Sequence, residues 1–112
     1  MDKENFELAV KKAISTLPAV LRKKLENIEI VIEVEPISQK NLLGLYQGVP
    51  LKHRSIWYGN VLPDKITIFK QNIERIAGND NEVQRIVEDV VFHEIGHYFG
   101  FNEDDLRNIT SD

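Results

Sequence analysis

The sequence predicts an α+β fold, because apolar residues recur with two different periods in one chain. Phe6, Ala9, Val10, Ala13, Ile14 and Leu17 follow the three-and-four spacing of one helix face. Ile28, Ile30, Ile32 and Val34 instead alternate with Glu29, Val31, Glu33 and Glu35, as in a strand with one buried face. A third observation is the stretch Val83, Ile86, Val87, Val90 and Val91, apolar over a broad face and long enough to be a central buried helix. With 42% of 112 residues apolar, the chain can build one core and is expected to form a single domain over residues 1–112.

The elements follow in order. The first helix is expected from Phe6 to Leu17, where Pro18 ends it and opens a second short helix carrying Val20, Leu21 and Leu25. The strand from Ile28 stops at Pro36. Residues 37–63 show no sustained period and hold three Gly and two Pro, so they read as irregular, with Ile56-Trp57-Tyr58 as a short strand and Trp57 in the core. A loop-rich stretch of that length in a small domain suits one wall of a binding cleft. Lys65–Lys70 reads as a further strand, followed by a short helix through Ile73 and Ile76 that Gly78 closes. Asn79, with Glu82 three residues on, has the form of an N-cap for the long helix.

Composition narrows the chemistry. With no cysteine, His, Asp and Glu are the only strong metal ligands available. Fourteen basic against eighteen acidic residues give a net charge of -4, the wrong sign for gripping nucleic acid broadly, and the basic runs Arg22-Lys23-Lys24 and Lys52-His53-Arg54 read as solvated faces. Met1–Asn5 is charged with both signs and leads into no long apolar run, so neither a signal peptide nor a membrane span is expected, and the protein is expected to be cytoplasmic. No G-x-S-x-G, P-loop or dinucleotide fingerprint occurs. The oligomeric state is not written in the sequence.

The end of the long helix reads His93-Glu94-Ile95-Gly96-His97. Residues four apart on a helix project from one face, so both imidazoles can reach one ion at about 2.0–2.1 Å. A lone histidine on such a face is more often a core residue, but two at metal spacing with Glu between them read as a ligand pair. Gly100 can take the left-handed conformation that turns the chain back under the helix, bringing Glu103 into reach as a third ligand, with Asp104 as its competitor. Without a metal, Asn102 would cap a short final helix whose first turn holds Glu103, Asp104 and Asp105. Glu94 is turned about 100° around the helix from His93. That suits a general base that takes a proton from metal-bound water and passes it to a leaving amine.

These residues resemble the zinc-dependent metallopeptidases of the zincin clan, in particular the small bacterial zincin-like metallopeptidase family. Beyond the His93 to Glu103 array, the resemblance covers Leu17-Pro18-Ala19 with Leu21-Arg22, Leu43-Gly44-Leu45-Tyr46 with Gly48-Val49-Pro50-Leu51, Arg54, and Leu62-Pro63-Asp64 before Ile66. It implies a minimal zincin-like fold with a small mixed sheet packed on the motif helix. It also implies Zn2+ as cofactor, His93 and His97 as ligands, Glu94 as general base, and hydrolysis of peptide bonds. The family usually has aspartate where this chain has Glu103. Larger zincins with the extended motif carry a methionine turn beneath the metal, whereas the only methionine here is Met1.

The expected substrate is a peptide or flexible protein segment held along a strand edge. Tyr46, His53, Arg54 and Tyr58 are chemically suited to stabilise the oxyanion. The alternative is a non-catalytic, zinc-stabilised peptide- or protein-binding module, with His53 as a fourth ligand closing the site. Either way the imidazoles must be neutral to bind metal. Bound zinc is therefore expected to be lost as pH falls through about 6, which metal analysis of the dialysed protein against pH checks.

Overall fold

The computed structural model describes residues 1–25, 28–35, 41–48, 64–101 and 104. Helix α1, Lys3–Ser15, buries Phe6, Ala9, Val10 and Ala13, the face that the spacing specifies. It starts three residues before Phe6 because Asp2 caps it, its side chain accepting from the Asn5 N–H at 2.8 Å. It stops short of Leu17. The Ser15 and Thr16 hydroxyls donate to the carbonyls of Lys12 and Ala13, taking up the oxygens of the last turn.

Pro18 stands as N-cap of the four-residue helix α2, Ala19–Arg22. Leu25 lies beyond it but still packs on the core, whereas Val20, expected on the apolar face, is 63% exposed. One turn of helix is too short to bury a stripe. Arg22 bends back to donate to the carbonyls of Ser15 and Leu17, so this member of the basic run closes the end of α1.

Strand β1, Ile28–Glu33, turns Ile28, Ile30 and Ile32 toward the core and leaves Glu29 and Glu33 exposed. Strand β3, Asp64–Phe69, lies in the middle of the sheet and is buried along nearly its whole length, with Ile66 and Ile68 fully enclosed. Lys70, expected in this strand, opens helix α3, Lys70–Ile76. Strand β2, Gly44–Gln47, corrects the reading of its segment as irregular. Four residues are too few to show a period, and the strand owes its existence to pairing with β3. The sheet order is β1-β3-β2, with β1 parallel and β2 antiparallel to β3, so the sheet is mixed and the fold is α+β.

In α3 only Ile73 of the expected apolar pair is buried, and Ile76 is exposed. The helix closes at Ala77 in extended conformation, one residue before Gly78, whose N–H donates to the Glu82 carboxylate at 2.6 Å. Helix α4, Asp80–Phe99, begins as the sequence indicates, with the Asn79 side chain accepting from the Glu82 N–H at 2.9 Å. It buries Val83, Val87, Val90, Val91 and Ile95 against α1 on one side and β2 and β3 on the other. No helix among the described residues is long and apolar enough to cross a membrane.

The cap at Asn79 anchors the helix that carries the whole motif. Asn79→Ala is expected to lower the unfolding free energy by about 1 kcal/mol, seen as a lower urea midpoint at unchanged slope.

Candidate metal centre

The last two turns of α4 carry His93, Glu94 and His97. The two imidazole rings stand 4.7 Å apart between centroids, at an interplanar angle of 82°. One potential ligand atom from each of the three residues lies within 4.8 Å of the others, and all three side chains are half-buried. Gly100, with φ 83°, ends the helix in the left-handed conformation, and the Phe101 N–H returns to the Gly96 carbonyl at 2.9 Å. The chain therefore turns sharply just past His97, as its glycine indicates.

Glu94 and His97 border a cleft of about 500 Å3 whose other lining includes Leu42, Leu45, Tyr46 and Phe101. Strand β2 forms this facing wall, and its register decides what it presents. The Phe69 N–H bonds to the Leu43 carbonyl at 2.9 Å, and the antiparallel register places Leu45 opposite Thr67. Alternation along the ladder then turns the backbone groups of Leu43, Leu45 and Gln47 toward β3 and those of Gly44 and Tyr46 away from it.

Gly44 lets this wall come close. A Cβ there would stand 2.7 Å from Val90 Cγ1 and 3.0 Å from Glu94 Cγ, so any other residue would push β2 off the helix. Burial raises the Glu94 carboxyl above its ordinary range, and the neighbouring His97 and His93 and the Tyr46 N–H offset part of that rise.

The Tyr46 side chain lies on the face of the sheet that meets α4. Its hydroxyl donates to the buried Asp64 Oδ2 at 2.6 Å, and its ring meets Tyr98 edge-on at 6.2 Å. The hydroxyl proton is thus directed at Asp64, not at the cleft, which removes Tyr46 as an oxyanion donor by its side chain in this arrangement. His53, Arg54, Trp57 and Tyr58 lie outside the described residues. So does Glu103. Asp104, its competitor, is exposed and is not part of the His93–Glu94–His97 group. Two imidazoles one helical turn apart are nitrogen donors that zinc takes, so His93 and His97 fit such an ion, with the Glu94 carboxylate beside them.

The profile of a family described as zincin-like metallopeptidase matches residues 19–112. The chain belongs to this family. The matched span contains the motif helix, the three described strands and the cleft. No curated protein matches the chain.

The contributions of Gly44, Tyr46 and Asp64 lie outside the motif. Their signal in the sequence is the run Leu42-Leu43-Gly44-Leu45-Tyr46, a glycine within apolar residues, which marks a close backbone approach only once its partner is known. The raised Glu94 carboxyl has a consequence for stability. A group protonated more readily when folded supports folding below its unfolded range and loses that support as pH rises through the folded value. Metal-free Glu94→Gln is therefore expected to melt above the metal-free wild type at pH 7, with the advantage gone by about pH 4, which paired thermal melts check.

Proposed function

We propose that the protein is a zinc-dependent peptidase that cleaves peptides or flexible protein segments, with Glu94 as general base and His93, His97 and Glu103 as metal ligands. The observation that carries this reading is the placement of the helical His–Glu–His group on a cleft whose opposite wall is a strand edge. When bound, zinc supplies a Lewis acid that activates a coordinated water at near-neutral pH and polarises the scissile carbonyl.

The chain's own residues supply the remainder. His93 and His97 are rooted one turn apart on α4 with their rings 4.7 Å apart, and His97 lines the cleft. Glu94 lies beside them without sharing their direction, placed to accept a proton from the attacking water and deliver it to the leaving amine. Its raised pKa favours the first of these steps, because it makes the carboxylate a better acceptor for the proton of the water. The outward groups of Gly44 and the Tyr46 carbonyl offer main-chain hydrogen bonds to an extended peptide, a mode that tolerates varied side chains. Leu42, Leu45 and Phe101 give the cleft an apolar lining for one or two of those side chains.

Glu94→Gln is expected to bind zinc as the wild type does and to lose turnover by about 100-fold or more. Metal analysis and a chelator-controlled assay on a mixed peptide pool read both quantities. Retained turnover in this variant would overturn the mechanism.

A further inference from the structure

The edge of the sheet away from the cleft carries a second groove, of about 440 Å3, between helix α1 and strand β1. Val10 and Ile14 line it from the helix, and Ile30, Val31 and Ile32 from the strand. In the order β1-β3-β2, β1 pairs only with β3 among the described residues. Just beyond that parallel ladder the Gln71 N–H bonds to the Val34 carbonyl at 2.9 Å, which fixes the direction of the main chain. Backbone groups alternate in direction along a strand, so Ile28, Ile30 and Ile32 turn theirs toward β3, as Val34 does, and Glu29, Val31 and Glu33 turn theirs outward. Val31 thus presents its N–H and C=O at the groove that it also lines.

The side chains give this edge a polarity. Glu29 and Glu33 are exposed on one face of β1, on either side of Val31, and their partners in register on β3 are Lys65 and Phe69. On the other face Ile30 and Ile32 pack on the core beside the apolar helix wall. The charged residues of that wall, Lys3, Glu7 and Lys11, stand one turn apart and alternate in sign, so they largely offset one another. An added strand therefore meets two carboxylates on one face and an apolar surface on the other. A second copy of this chain fits badly. Antiparallel pairing of β1 with itself about Val31 sets Glu29 opposite Glu33 twice, and parallel pairing sets each glutamate beside its own copy. A strand with Lys or Arg at alternate positions and apolar residues between them suits both faces.

We propose that the outer edge of β1 is a docking site for an extended segment of another protein, alternating basic with apolar residues, which joins the sheet as a further strand. The outward main-chain groups of Glu29, Val31 and Glu33 hold its backbone. Val10 and Ile14 receive its apolar side chains in the groove, and Glu29 and Glu33 face its cations. The site lies across the sheet from the cleft and uses none of the residues assigned to peptide hydrolysis, so it holds whether or not the cleft cleaves.

A short peptide of strictly alternating lysine and valine, titrated into the full chain and followed by amide and methyl NMR, tests this. The protein is kept metal-free so that the probe survives. Shifts are expected at the amides of Glu29, Val31 and Glu33 and at the methyls of Val10 and Ile14, with NOEs between Val31 and the peptide backbone. A peptide of alternating glutamate and valine is expected to bind about tenfold more weakly, and the double variant Glu29→Lys/Glu33→Lys to reverse that order. Both glutamates are exposed, so the variant is expected to keep the fold, which its amide spectrum checks. A peptide of the same composition with its lysines and valines in separate blocks is expected to lose the NOEs to Val31. Absence of binding, equal affinity for the two alternating peptides, or an unreversed order in the double variant overturns the proposal. Shifts confined to Leu45 and His97 also overturn it, because the probe then occupies the cleft. So does dimerisation of the chain alone, seen by sedimentation with the same β1 amides shifting, because a second copy is then the occupant.

Discussion

The spacing between β2 and α4 is the constraint on which the rest of the site depends. At Gly44 the strand meets Val90 and Glu94 at distances that leave no room for a Cβ. This approach closes one side of the cleft and partly removes the Glu94 carboxylate from water. A strand held one side chain further out would leave Glu94 as a solvated helical glutamate. Overpacking at such a contact commonly costs about 1–3 kcal/mol, enough to shift an edge strand that only one neighbour holds in place.

The helix that receives this strand is itself strongly specified. Its N-terminus is capped by Asn79, its middle is buried against α1 and the sheet, and its C-terminus is closed by Gly100. The two histidines occupy the final turns and are half-buried, while Ile95, Tyr98 and Phe99 of the same turns stay in the core. The imidazoles are mounted on a packed helix, and His97 lines the cleft. A cysteine-free chain limits the available donors to nitrogen and oxygen, the set that suits a hydrolytic zinc ion with an open position.

Much of this was legible before the structure. The stripe of Phe6, Ala9, Val10 and Ala13, the alternation of Ile28, Ile30 and Ile32, the Asn79 cap and the Gly100 stop all appear where local chemistry puts them. Errors gathered where local pattern is weakest. Val20 and Ile76 are apolar at helical spacing but sit on helices too short to bury a full face. Strand β2 has four residues, and its identity is written in the hydrogen bonds of β3 instead of its own sequence.

The sequence by itself determined the donor set, the one-turn separation of His93 and His97, and the helix that mounts them, because each depends on residues within a few positions of one another. Only the tertiary structure decided what stands opposite. Gly44 and Asp64 lie on two strands, 20 residues apart in the chain, joined through Tyr46, and Gly44 meets Glu94 of a third element. Their relation to Glu94 arises from sheet register and the closeness of strand to helix, and neither leaves a periodic trace in the residues that make it.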